Sequence, residues 1–157
     1  MIEIGVQEGY FADLVLSKWP SFKTYYGIDP WTQQANYKDG ANVDNNAHEN
    51  KYKNTLKKFN SKFGENRIKL IRNFSNLVVS YFKDYSLDFI YIDGRHDYCG
   101  VYEDLTLYYP KLKCNGIMGG HDYYSAEEVK KMVGDDYGLC GNGTRVEHKG
   151  GAVKGIF

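Results

Sequence analysis

Five short apolar runs punctuate the chain, at Met1–Val6, Thr24–Ile28, Arg67–Arg72, Leu87–Ile92 and Gly116–Gly120, and between them apolar residues recur at helical spacing. A strand followed by a helix before the next strand pairs in parallel, because the helix is the crossover and the crossover is right-handed. The alternation therefore predicts an α/β fold: a doubly wound, mostly parallel, Rossmann-like sheet of about five strands with helices on its faces. A chain of 157 residues has room for one such domain, 1–157, and not for two.

In chain order, Gln7-Glu8-Gly9-Tyr10 turns from the first run into a helix over Phe11–Trp19, where Phe11, Leu14, Val15 and Trp19 share a face. Pro20 stops that helix, and Pro30 closes the second strand after Asp29 by removing a backbone donor. Residues 31–50 are polar and rich in Asn and Asp, which reads as a long loop. Glu49–Phe63 then reads as a basic amphipathic helix through Tyr52, Leu56, Phe59 and Phe63. Further on, Asn76–Tyr85 reads as a helix with Leu77, Val78 and Phe82 inside, and Val101–Leu112 as another. Cys114-Asn115-Gly116 reads as a turn, Ser125–Met132 as the start of a last helix, and the glycine-rich 134–151 stretch as a loop. Ala152–Phe157 reads as the first turn of a helix interrupted by the terminus.

Twenty Lys and Arg balance 20 Asp and Glu, so no net field favours nucleic acid or an anionic membrane. No apolar run approaches the roughly 20 residues that cross a bilayer, and the first residues read as a strand and not as a signal peptide. Cys99, Cys114 and Cys140 form no CxxC pair, and an odd count without a leader predicts reduced thiols and a cytoplasmic protein.

In a sheet of this kind ligands bind outside the carboxyl ends of the strands, so the residues just after each strand are the candidates. The first strand ends in Glu3-Ile4-Gly5-Val6-Gln7-Glu8-Gly9, an ExGxxxG pattern whose glycines let a ligand approach the backbone or let helix and strand pack closely. Asp29 ends the second strand about 20 residues beyond Gly9, the offset at which a carboxylate meets both hydroxyls of a ribose; a turn Asp before Pro is the plainer alternative. Gln7 replaces the second glycine of a dinucleotide fingerprint, which favours S-adenosylmethionine over NAD. Asn73 and Ser75 follow the third strand as adenine contacts, or Ser75 as a helix cap. Asp93, Arg95, His96 and Asp97 follow the fourth strand, and His121-Asp122 follow the fifth. Three uses of these groups stay open: Asp93, His121 and Asp122 holding a divalent cation such as Mg; His96 or His121 as a metal-free general base; or all of them capping helices and strand ends. His48 and His148 have no partner in the sequence pattern and are expected at the surface.

The segments IEIGVQEGYFADLVL, YYGIDPW, LDFIYIDGRHDYCGVYEDLTLYYPKL and GIMGGHDY resemble class I methyltransferases of the methyltransferase 24 family, and the likeness covers most of Ile2–Tyr124. It implies that Glu3, Gly5 and Gly9 line an S-adenosylmethionine site, with Tyr10 and Phe11 beside them, that Asp29 binds the ribose, and that Asp93 and His96 face the active-site cleft. Catechol-type O-methyltransferases place metal ligands where this chain has Asp93 and His121-Asp122. The resemblance also implies seven strands, the last two a β-hairpin, so the domain reads as incomplete: a natural short form, a fragment, or a homodimer whose partner completes the sheet. The expected function is methyl transfer from S-adenosylmethionine to an oxygen of a small molecule. A cofactor-binding or interaction module without catalysis, and an NAD-linked oxidoreductase, are the rivals.

Overall fold

The computed structural model describes residues 1–146; the expectations for His148 and for Ala152–Phe157 lie outside the described residues. Five strands, β1 (Ile2–Ile4), β2 (Tyr25–Asp29), β3 (Ile68–Arg72), β4 (Leu87–Ile92) and β5 (Leu112–Gly120), form one sheet in the order β3-β2-β1-β4-β5. Every neighbouring pair is parallel. The chain reverses its direction of winding between β1 and β4, and that is where a crevice opens at the carboxyl ends of the strands.

Period-two alternation sorts the side chains of each strand between the two faces. Ile2, Ile4, Ile28, Ile90 and Ile92 face one way and pack with Val78, Phe82 and Tyr108. Met1, Tyr25 and Ile68 face the other way and pack with Ala12, Leu16, Phe22 and Phe59. The second layer is built by α1 (Tyr10–Lys18) and α2 (Asn45–Phe63), and the first by α3 (Ser75–Val78) and α4 (Tyr98–Tyr108). Both faces of the central strands are thus covered, as their near-continuous apolar runs require.

Several boundaries differ from the sequence expectation, each for a local reason. Helix α2 starts at Asn45, because the Asp44 carboxylate caps it by accepting from Ala47 N at 2.9 Å, and the 31–50 loop is shorter by one turn and more. Helix α4 starts at Tyr98, with Asp97 capping Gly100 N at 3.1 Å. The helix expected over Asn76–Tyr85 is one turn, α3, and a 3₁₀ turn over Val79–Tyr81. Val78 and Phe82 are buried there while Leu77 is exposed, so two anchors hold the segment without a longer apolar face. Strand β5 runs through the expected Cys114–Gly116 turn, which survives as an irregularity: strand partners jump from Leu87–Leu112 to Phe89–Ile117. The last helix, α5 (Ala126–Met132), opens on a capping box in which the Ser125 and Glu128 side chains each bind the other's backbone N–H. In the glycine-rich stretch, the described residues hold an isolated antiparallel bridge between Leu139 and Arg145.

The expectation of three reduced thiols is overturned. Cys99 and Cys140 form a disulfide, and Cys114 is free and exposed. The pairing is invisible in the spacing because 41 residues separate the two cysteines. Among the described residues no helix is long and apolar enough to cross a membrane.

Candidate active site

The strand ends surround a cavity of about 570 Å³, within the range of small-molecule sites. Its wall includes Glu3, Gly5, Tyr10, Phe11, Asp29, Ser75, Asp93, His96, His121 and Asp122. Every site residue expected from the sequence is therefore brought to one cleft except Gly9. That glycine packs against the Phe59 ring, which a Cβ would meet at 2.3 Å. Gly5 is also a packing requirement, with φ +82 and the Asp93 carbonyl 1.8 Å from where its Cβ would stand. Close packing, against backbone at Gly5 and against an aromatic ring at Gly9, accounts for both glycines, the plainer of the two sequence readings.

Asp29 organises the opening of the cleft. Its Oδ2 accepts from Val6 N at 3.0 Å and Gln7 N at 2.9 Å, and its Oδ1 accepts from Trp31 N at 2.7 Å. The buried Trp31 indole donates to Gln7 O at 2.9 Å, closing the brace. Gln7, Trp31 and Asp122 are non-glycine residues in the left-handed region, at φ 50, 41 and 56. Such conformations persist where surrounding bonds over-determine them, and these three all lie just past strand ends.

Glu3, on the α1/α2 face, is 1% exposed and accepts from Tyr25 Oη at 2.5 Å. Burial pushes its carboxyl up to about 8, with the Tyr25 bond working against the shift and Asp93 and Asp29 adding to it. A raised acid stabilises the fold in its neutral form, fully below the ordinary value of 4.5, and that contribution is lost as pH rises towards about 8. We expect Glu3→Gln, which keeps an acceptor for Tyr25 and cannot ionise, to flatten the fall in stability between pH 5 and pH 8. The difference is on the order of a few kcal/mol, since each tenfold change in proton affinity is worth about 1.4 kcal/mol. Urea unfolding midpoints at pH 5 and pH 8.5 check this, and parallel slopes for both proteins would contradict it.

The ends of β4 and β5 carry an acid–imidazole cluster. His96 Nε2 lies 3.1 Å from Asp93 Oδ1, and His96 Nδ1 lies 3.0 Å from Asp39 Oδ2 and 3.3 Å from Asp122 Oδ2. Burial works against charge on the ring, but the carboxylates of Asp39, Asp93 and Asp122 outweigh it and push His96 up to about 10. The same contacts hold Asp39 down at about 2 against the effect of burial. With three carboxylates around it the ring is favoured in its protonated form, in which it pairs with the acids. His121 differs: its side chain is 57% exposed and its Nδ1 lies 2.7 Å from Asp122 Oδ1.

The cation expected on Asp93, His121 and Asp122 finds no closed donor set. His121 Nδ1 is 2.7 Å from Asp122 Oδ1 and 3.7 Å from Asp93 Oδ1, but donor atoms of all three residues do not lie mutually close. Among the described residues that closeness is met by Asp97, Cys99 and Cys140, where both sulfurs are spent in the disulfide. Neighbouring donors in an octahedral shell at 2.0–2.2 Å lie about 3 Å apart. Here the His96 ring lies between the carboxylates.

Two members of the cluster escaped the sequence reading. Asp39 comes from the polar loop, and Tyr137 from the glycine-rich stretch, with its Oη 3.2 Å from His96 Nδ1 and 3.3 Å from Asp39 Oδ2. Arg95 ties the loop down, donating to Asn36 O at 3.1 Å and to Asp97 Oδ2 at 2.6 Å. On the β3 side, Ser75 does not cap α3, whose cap is Phe74; its hydroxyl donates to Asp104 Oδ1 at 2.5 Å. Burial pushes the Asp104 carboxyl up to about 7, the Ser75 bond opposing the shift. Asn73 spends its side-chain oxygen on Phe74 N. His48, expected at the surface, is 7% exposed in α2.

A methyltransferase-domain model, that of methyltransferase 24, matches residues 2–123, well over half the chain. The chain belongs to this methyltransferase family. The match takes in all five strands and ends beside Asp122, so the cleft is the methyltransferase domain's own. Among solved structures, one of a protein from Corynebacterium glutamicum superposes with a TM-score of 0.57 at 15% identity, covering 78% of this chain and 48% of that one. That likeness shows the Rossmann-like fold, and the chain spans about half that protein's length. Among curated proteins none matches the sequence.

Proposed function

We propose that the cleft binds S-adenosylmethionine and that the domain transfers its methyl group to an oxygen of a small molecule. One observation carries the reading: a single cavity joins Glu3, Gly5, Asp29 and Ser75 at the ends of β1, β2 and β3 to Asp93, His121 and Asp122 at the ends of β4 and β5. When bound, the cofactor supplies an electrophilic methyl group on a cationic sulfonium. The cleft suits a cation, because the carboxylates of Asp29, Asp39, Asp93 and Asp122 outnumber its two cationic groups, Arg95 and the His96 ring.

Each residue then has a physical task. Asp29 Oδ1, which accepts one hydrogen bond, keeps capacity for a sugar hydroxyl, while Oδ2 fixes the β1–α1 turn. Asp122 orients His121 through Nδ1, leaving Nε2 to take the proton of an acceptor hydroxyl as its oxygen attacks. The charged His96 holds Asp93 and Asp122 in register around that point. No step is assigned to a divalent cation. The cytoplasmic location expected from reduced thiols loses its support, since two of the three cysteines are bonded.

The test is an acceptor screen with phenols, catechols and sugars, read out by S-adenosylhomocysteine formation. His121→Ala is expected to lower turnover about 10²–10⁴-fold, the usual contribution of a positioned base, with cofactor affinity unchanged. Turnover that survives His121→Ala would remove His121 from the reaction. Cofactor binding without turnover on any acceptor would favour a binding module.

A further inference from the structure

His48 stands out as a buried polar side chain without a use in the fold. Both ring nitrogens are shielded from solvent and neither finds a hydrogen-bond partner among the described residues. Buried donors and acceptors are normally paired, so an orphaned ring points to an absent partner. His48 lines the same cavity as Asp29, entering it from the first turn of α2, which Asp44 caps.

The neighbouring polar groups are already committed. Asn42 accepts from Gln34 N and donates to Gln34 O and Tyr37 O, and Asn45 accepts from Thr32 and Gln33. Asp29 has given one oxygen to two amides and half of the other to Trp31. Among the buried side-chain atoms at this end of the cleft, the two imidazole nitrogens have no partner, and Asp29 Oδ1 accepts a single hydrogen bond. An anion is disfavoured beside Asp29. A neutral vicinal diol fits, since each hydroxyl both donates and accepts.

We propose that His48 is a sugar-recognition residue of the cofactor cleft, hydrogen-bonding a ribose hydroxyl next to Asp29. The inference rests on the S-adenosylmethionine reading and adds to it a residue outside the strand ends. It predicts specificity as well as affinity, because a site built to bond a hydroxyl discriminates against the analogue that lacks it.

The experiment titrates S-adenosylhomocysteine and its 2′-deoxy and 3′-deoxy forms calorimetrically into the wild-type chain, His48→Leu and His48→Gln. The wild type is expected to bind one deoxy form about tenfold more weakly than the parent, the scale of one hydrogen bond. His48→Leu should bind the parent about tenfold more weakly and lose that discrimination, with a melting temperature no lower than wild type. His48→Gln, which keeps a donor and an acceptor, should retain part of it and serves if the Leu variant is unfolded. Equal affinity of His48→Leu and wild type for all three ligands overturns the assignment and leaves the cofactor reading standing. No binding of S-adenosylhomocysteine by the folded wild type overturns both.

Discussion

Gly5→Ala is expected to lower stability by about 3–5 kcal/mol and the melting temperature by roughly 10 °C, a large share of the roughly 5–15 kcal/mol that holds a native domain together. Two costs combine. The residue sits at φ +82, where an L side chain loses about 1–2 kcal/mol. The new Cβ would stand 1.8 Å from Asp93 O and 2.7 Å from Gly94 N, both backbone atoms that cannot rotate away. Relief requires β1 and β4 to part at the hydrogen bond from Asp93 N to Ile4 O, 2.7 Å, and pulls on the bond from Gly5 N to Ile28 O of β2, 2.8 Å. Gly64→Ala is the internal control, because Gly64 has φ +89 with nothing within 4 Å of its would-be Cβ. It should lose only the conformational part, about 1–3 kcal/mol at its φ 89 and ψ 136. Equal effects at the two positions in urea unfolding would show that β1 and β4 do not approach as described.

The second large effect is expected from the Cys99–Cys140 bond. A cross-link between residues 41 apart stabilises by up to about 4 kcal/mol in the chain-entropy picture. The bond also has a place in the site: Cys99 lies in the first turn of α4, just after His96, and Cys140 lies three residues beyond Tyr137. The tether therefore holds the segment whose tyrosine closes the Asp39–His96–Asp122 cluster. Cys99→Ser with Cys140→Ser should lower stability by about 2–4 kcal/mol and raise protease sensitivity between residues 134 and 146. Thiol titration of the unfolded, unreduced wild type should find one reactive cysteine, Cys114; three would contradict the bond.

How far the sequence could be read follows from the range of the forces involved. Strand order, parallel pairing and the convergence of Asp29, Asp93, His96, His121 and Asp122 were legible, because they follow from alternating periodicities and a topological rule that places ligands at strand ends. The helix expected over 76–85 failed because only Val78 and Phe82 find a buried site, and no local pattern reveals which of several apolar residues will do so. Asp39, Tyr137 and the disulfide were missed for a related reason. Each joins segments far apart in sequence, the 33–42 loop or the 134–146 stretch to the end of β4, and contacts such as Asn36 Nδ2 to Gly141 O leave no periodic trace. A surface position for His48 fails because its neighbours Asn45, Asn46 and Asn50 in α2 are exposed while its own side chain is buried, a difference the polar run does not reveal. The two histidines of the strand ends looked alike in sequence. Their difference, one ringed by three carboxylates and the other leaning on one, emerges only in three dimensions.

Whether the strand-end cleft is an S-adenosylmethionine site is tested most directly by calorimetric titration of the purified chain with S-adenosylmethionine and S-adenosylhomocysteine, with and without Mg, beside Asp29→Ala. Micromolar binding of both ligands is expected, unchanged by Mg and weakened tenfold or more by Asp29→Ala. A folded wild-type chain that binds neither ligand, or an Asp29→Ala chain that binds them equally well, would contradict the assignment.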